Sequence, residues 1–467
     1  MVQHLSGVAE TLYNGVRDAA IVSPHGHCDP SWFAQDAPFA APAELLVIPD
    51  HYVFRMLYSQ GVPLRDLGVG VPPDQRDPRA IFRLFADHWH LFLGTPSRTW
   101  IDYVLRETLG CDIPLSAETA DTIYDHIATW LAAPQNRPRA LFDRFGIEVL
   151  ATTDAALDDL THPAAIRDSG WQGRVVPTFS PDALLDPTAE GWRASVDALG
   201  DMTGADTDSF EGFLDALRAR RAVFKALGAT ATDHASEDPR TVWLSDPAAT
   251  YQQLLQGDMA GAAAFHGHML IEMAQMSLED GLVMQLHAGS RRNTNHVILD
   301  QFGRDKGADI PVATNWVRGL EPVLNRVGND PRLTLRRALH ATLIRCSRRR
   351  GTGTLPASTM TRAPSCQFLH ATICGAALWP CIWQGRSNAD TSAPTRLVIW
   401  PRCWRPIWPA RHTGWIDHAT HSSPRRRKLF SRAFGRVHPS LPRLADHWRQ
   451  LPLAHGPRRV AEKRLCL

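Results

Sequence analysis

Acidic residues are nearly missing from the last part of the chain. From Arg336 onward there are 4 Asp+Glu against 24 Lys+Arg, whereas the preceding 335 residues hold 44 against 26. The formal charge of +2 is therefore the sum of a body near −18 and a tail near +20, and so small a total excludes no class of partner. The opening MVQHLSGVAETLYNGV lacks a basic start followed by an apolar run, so no secretory leader is expected. No apolar stretch approaches the roughly 18 residues of a membrane span. Together these absences point to a cytoplasmic chain with no membrane partner. The tail also lacks a C-x-x-C pair among Cys346, Cys366, Cys374, Cys381, Cys403 and Cys466, which counts against a zinc or disulfide module. Sustained helical or strand periodicity is missing there too.

Three readings of residues 336–467 stand. An Arg-rich segment neutralises phosphates and suits a nucleic-acid-binding arm. Scattered cysteines leave room for a metal module. Out-of-frame translation of GC-rich DNA enriches Arg, Pro, Trp, Cys and Ser at the expense of Glu and Lys. The tail holds 22 arginines among its 24 basic residues, and 7 of the 15 tryptophans. That composition, without periodicity, favours the out-of-frame reading and a poorly ordered tail. Nucleic acid is then not an expected partner.

What is present lies before residue 336. With 44% hydrophobic residues the chain can bury a sizeable core. At about 150 residues per domain it fits three domains, or one large α/β barrel with an extra segment. DAAIVSPHGHCDP reads as a short buried strand with His25 and His27 at its end. PAELLVIPDHYVFRMLYSQGV and DPRAIFRLFADHWHLFLG carry apolar residues at i, i+3, i+4 and i+7. SAETADTIYDHIATWLA starts a further helix, with Ser116 as its N-cap. FGIEVLATTDA, GRVVPTFSPD, ATATDHA and LVMQLHAGSRRNTN then read as strands separated by helices. Strands alternating with helices imply a parallel sheet. Each strand ends in polar or ionisable residues, among them Asp154, Thr178, Asp233, His234, His287 and Arg291. A (β/α)8 TIM-type barrel collects its active site from several such ends, whereas a doubly wound sheet gathers it at one switch point. The expected fold is this barrel over residues 1–335, with a helical insertion over about 36–140.

His-x-His at a strand end is a workable metal fork. Alternation sends Gly26 to one face and both imidazoles to the other. Neutral imidazole suits zinc and similar divalent ions, and a catalytic site needs a further protein ligand and an open position. Cys28 turns away from that face. The same two histidines also fit a plain loop, Tyr52 fits the core of an apolar helix, and Asp233-His234 fits an N-cap pair.

HGHCDP, PDHYVFRMLYSQGV, LATTDAALDDLTHP, VVPTFSPD and MQLHAGSRRNTN, in this order, resemble the uronate (glucuronate) isomerase family of amidohydrolase-like metal barrels. The resemblance covers about residues 5–335. It implies interconversion of D-glucuronate with D-fructuronate and of D-galacturonate with D-tagaturonate. That reaction moves a proton from C2 to C1 through an enediolate, so it needs an acid and base, an oxyanion partner and a cation for the substrate carboxylate. By resemblance His25 and His27 hold a divalent metal, with zinc the expected ion. Tyr52 and His51 move the proton. Arg291, His234, His287 and Arg55 bind the hexuronate, and a homo-oligomer is compatible. Arg55 equally fits a brace to a loop carboxylate, and Arg292 a solvated surface residue. A metal-dependent hydrolase on the same barrel, and a non-catalytic barrel with a nucleic-acid-binding tail, are the rival functions.

The family's third metal ligand, an aspartate in an Asp-[Ser/Thr]-Arg-x-Phe motif on the last strand, is not found, nor is the Trp-Trp pair before it. NADTSAP around Asp390 has no following Arg-x-Phe. Back-translated with GC-rich codons and read from the third base, WIDHATHSS gives Asp-Arg-Pro-Arg-Asp-Ala-Phe-Leu, which resembles that motif. The barrel is therefore expected to be incomplete, with about six strands, and the chain as written to be inactive or nearly so.

Overall fold

The structure is a computed structural model that describes residues 7–15, 18–307 and 309–337. The expectations about 338–467, and about Asp390 within it, lie outside the described residues. Every element below belongs to the first of two compact units, residues 1–396.

Six strands follow one another in sequence and pair in that same order. They are β1 (Ile21–Ser23), β2 (Ile147–Ala151, resumed at Asp154–Ala155), β3 (Arg174–Val176, resumed at Phe179–Ser180), β4 (Ala231–Ser236), β5 (Val283–Ala288) and β6 (Leu335–Arg337). Each neighbouring pair is parallel. β2 and β3 break in the middle, and each passes from the ladder shared with β1 to the ladder shared with β4, β5 and β6. Helices connect the strands, as parallel pairing requires. The expected α/β barrel class is found, with six parallel strands among the described residues. The sixth strand lies beside β5, with Leu335 opposite Met284.

Between β1 and β2 the described chain contains helices and turns but no strand. This helical segment buries Phe54, Phe82, Phe85, Trp89, Phe92 and Ile123, all at most 2% exposed, in a core that continues to Ile147 and Leu150 of β2 and Val175 of β3. A second cluster, including Phe179, Phe213, Phe224, Met269 and Leu286, packs the outer helices onto β3–β5. Two boundaries differ from expectation. PAELLVIPDHYVFRMLYSQGV forms two helices, Pro42–Leu46 and α1 (His51–Ser59). Pro49 offers no N–H to a continuing helix, and Asp50 caps α1 through Oδ1, which accepts from Tyr52 N and Val53 N. The helix expected to start at Ser116 runs over Ala120–Ala132. The Ser116 hydroxyl donates to Glu118 instead, within a turn tied by Thr119.

The end of β1 is fixed by close contact with β2. A Cβ at Gly26 would lie 2.8 Å from the Ala151 carbonyl oxygen, so only glycine lets the two backbones pass. The Thr153 hydroxyl donates to Gly26 O at 2.9 Å and ties the crossing. Among the described residues no helix is long and apolar enough to cross a membrane.

Because the clash at Gly26 is with backbone rather than a flexible side chain, Gly26→Ala should cost stability, by about 1–3 kcal/mol as for other overpacked sites. Chemical unfolding of the two proteins checks this. Equal midpoints and slopes would show that β1 moves freely over β2.

Candidate metal centre and active site

The chain leaves each of the first five strands at the same end of the barrel, and each exit carries ionisable groups. β1 delivers His25 and His27. Their Nε2 atoms are 3.1 Å apart and their rings nearly perpendicular, with centroids 4.8 Å apart. Two donors bound tetrahedrally at about 2.0–2.1 Å would sit roughly 3.3 Å apart. Burial is the main cause that lowers both rings, His25 to about 3 and His27 to about 4, with the charges of His287 and Arg292 acting in the same direction and Asp233 opposing. Both are therefore uncharged at neutral pH, the form that binds metal.

β4 delivers Asp233 and β5 delivers His287. In the parallel register Asp233 stands beside Gln285 and Ala235 beside His287, so these four share one face. His287 Nδ1 bonds Asp233 Oδ1. Asp233 Oδ2 is 3.7 Å from His25 Nδ1, and the rings of His25 and His287 have centroids 4.3 Å apart. Burial raises Asp233, but the His287 bond and the fields of His287 and His25 outweigh it and hold the carboxyl well below the usual range. His25 Nδ1 is buried without a hydrogen-bond partner. His25, Asp233 and His287 each offer a ligand atom within 4.8 Å of the others. Two neutral imidazoles, a third histidine and an ionised carboxylate suit a divalent ion of borderline softness.

Two more carboxyls stand at strand exits. Asp154, which opens the resumed part of β2, accepts from the Thr152 hydroxyl at 2.6 Å and from Thr178 N at 3.2 Å, yet burial pushes it up to about 6. Asp182 opens the short helix α2 (Asp182–Leu185) after β3, and its Oδ1 accepts from Ala235 N at 3.0 Å. Burial first, and then the charge of Asp233, push Asp182 up to about 7. Asp182 was legible in VVPTFSPD as the last residue of a strand-exit motif, but not its position beside β4. Asp233 was legible as a polar strand end, but not as the carboxylate between two histidines.

The remaining predicted residues are distributed differently from expectation. His234 alternates with Asp233 and faces the helices: its Nε2 bonds the Thr232 hydroxyl at 2.9 Å, and burial with the charge of Arg221 lowers its pKa to about 3. The structure thus corrects its placement as a pocket-lining residue. Arg221 belongs to the outer helix α3 (Phe210–Ala226) and pairs with Asp280. Arg291 is exposed, in a two-residue antiparallel ribbon with Ile310–Pro311. The arginine whose charge reaches the site is Arg292, which lowers His25 and His27 while lying 3.5 Å from Asp305. Arg55 is engaged by the loop after β5. Its Nη1 donates to Asp309 Oδ2 at 2.9 Å, and its Nη2 and Nε donate to the carbonyls of Asp305 and Lys306. It acts there as the brace to a loop carboxylate. His51 and Tyr52 begin α1, with ring centroids 4.3 Å apart. Cys28 is buried in the core beneath the insertion, where burial pushes its thiol up.

The profile of the glucuronate isomerase family matches residues 3–343. A uronate isomerase of Rhizorhabdus wittichii is 56% identical over 332 residues, 70% of this chain and 71% of that one. One of Mesorhizobium japonicum is 52% identical over 339 residues, 71% and 72% of the two chains. The crystal structure of glucuronate isomerase from Caulobacter crescentus superposes with a TM-score of 0.68 at 48% identity, covering 70% of each chain. That of the uronate isomerase from Thermotoga maritima gives 0.66 at 26% identity, covering 74% and 77%.

Asp182 generates a signed pH effect. A carboxyl near 7 in the fold and near 3.9 unfolded opposes folding increasingly as pH rises between those values, and fully above the higher one. Asn cannot ionise, and its Oδ1 still accepts from Ala235 N. Asp182→Asn should therefore gain thermal stability over the unsubstituted chain progressively from pH 4.5 to pH 8. A difference in melting temperature that is flat or shrinks over that range would show Asp182 ionised at ordinary pH.

Proposed function

We propose, from the premise that this chain belongs to the glucuronate isomerase family, that it is built to catalyse the aldose–ketose isomerisation of hexuronates. The observation that carries the reading is the fork itself: His25 and His27 present uncharged Nε2 atoms 3.1 Å apart at the exit of β1, on a barrel that superposes on a glucuronate isomerase. The substrate is a small hexuronate, and the compartment that suits such a sugar acid is the cytoplasm.

His25 and His27 would hold a divalent ion, with zinc the choice for imidazole donors. His287, whose ring adjoins that of His25, is the candidate third donor. When bound, the ion supplies polarisation of substrate oxygens. The residues around it divide the remaining work. Tyr52 and His51, at the capped start of α1, carry the proton between C2 and C1. Arg292 takes the part foreseen for Arg291, because its charge reaches the imidazoles and a guanidinium pairs with a carboxylate. Arg55 keeps the loop at 305–309 against α1. Asp182 sits beside Asp233 and can take up and release a proton near neutrality. The carboxylate that the family places on its last strand is not found in this sequence, so turnover by the chain as written falls well below that of its full-length relatives.

Two proteins test this: the chain itself, and a chimera in which residues from 338 onward are replaced by the part of the R. wittichii relative beyond the match. Ketose formation from D-glucuronate and D-galacturonate should be far faster with the chimera. Tyr52→Phe in the chimera should lower the rate by about 10²–10⁴. Ester or amide hydrolysis without any ketose would sink the isomerase reading, and equal rates in the two proteins would sink the reading of the tail.

A further inference from the structure

Asp233 is the buried group that the reaction leaves without a task. His25 and His27 turn their Nε2 atoms toward each other, so an ion held by both would lie on that side of the His25 ring. Asp233 lies on the other side, with Oδ2 3.7 Å from His25 Nδ1. Its second oxygen, Oδ1, is bonded to Nδ1 of His287. One carboxylate thus addresses the same ring atom of two histidines. A metal-bound imidazole normally binds through one nitrogen and donates its other N–H to a carboxylate or carbonyl, which fixes the tautomer and the direction of the ring. His25 Nδ1 is buried and lacks such an acceptor within hydrogen-bond distance, and Asp233 Oδ2 faces it.

The next strand does the same for the main chain. Gln285 stands in register with Asp233, and its Nε2 donates to Pro24 O at 3.1 Å, one residue before His25. Two adjacent strands therefore grip the end of β1 at one level, β5 by its backbone and β4 by its ring.

We propose that Asp233 is a positioning residue shared by His25 and His287: Oδ2 accepts Nδ1–H of the first and Oδ1 accepts Nδ1–H of the second, so that both rings turn Nε2 toward one ion. This rests on the metal reading above and adds to it the residue that fixes both tautomers. For that bond to form, the Oδ2 to Nδ1 separation would have to close from 3.7 Å to about 2.8 Å, the length of a charge-assisted bond. Asparagine keeps the shape but cannot accept both N–H groups, because one of its two heavy atoms is itself a donor.

The test uses the full chain, Asp233→Asn and Asp233→Glu, with zinc alone as the probe. Nitrogen-15 shifts of the histidines in the metal-free proteins report the tautomers, and competition with a chromogenic chelator reports zinc affinity. The expected result is the Nδ1–H form for His25 and His287, lost from at least one of them in Asp233→Asn. Zinc affinity falls 10- to 100-fold, with the number of imidazoles around the ion, read by X-ray absorption, unchanged. Asp233→Glu should restore part of the loss. Unchanged tautomers, or affinity within about threefold of the original, would overturn the proposal. So would loss of an oxygen donor from the zinc sphere in Asp233→Asn, which would make Asp233 a ligand. If the unsubstituted chain takes up no zinc, the metal reading fails, and the tautomers alone still decide the role of Asp233.

Discussion

Everything at the strand exits depends on the cost of keeping ionisable groups away from water. Burial is the largest cause that makes His25 and His27 neutral and raises Asp154 and Asp182, while Asp233 stays ionised because the imidazoles around it outweigh its burial. A buried charge needs a partner, and a buried polar atom needs a bond. The cluster satisfies that rule at every group except His25 Nδ1, the atom that faces a carboxylate at 3.7 Å. An ion on the Nε2 side would favour the Nδ1–H form and so supply the missing bond. The same desolvation that makes the imidazoles poor bases makes them ready ligands.

The barrel can bring these groups together because β1 crosses β2 at a glycine and β4 and β5 run in register beyond it. The insertion does not supply that framework. It packs onto the outside of β2 and β3 through a shared core and contributes one helix start, His51 and Tyr52 behind the Asp50 cap. Arg55 then joins that helix to the loop after β5, a contact that spans about 250 residues of sequence. An arginine bonded to a loop carboxylate and two carbonyls holds that helix and the loop together.

The residues misplaced by sequence reading fail for a common reason. Arg291 and Arg292 are adjacent and both exposed; Arg291 pairs with Ile310 in the ribbon, while Arg292 lies 3.5 Å from Asp305 and its charge is felt by His25 and His27. Asp233 and His234 are adjacent too, and strand alternation gives one to the pocket and the other to Thr232 and the helices. Sequence reading locates such a pair but does not say which member faces in until the register of the neighbouring strand is known. Cys28 was assigned correctly because it lies one step beyond a fork whose two members already define the face.

By itself the sequence determined the order of strands and helices, the presence of helices between the first two strands, the glycine between two histidines and the change of composition near residue 336. These follow from periodicity, from local backbone needs and from charge, all of which act over a few residues. Only the tertiary structure decided that Asp233 stands between His25 and His287, that Asp182 bonds Ala235 N, and that Arg55 holds the loop at 305–309. Those contacts join segments tens to hundreds of residues apart, and they depend on strand register and on how much water each exit excludes, neither of which is encoded in any local pattern.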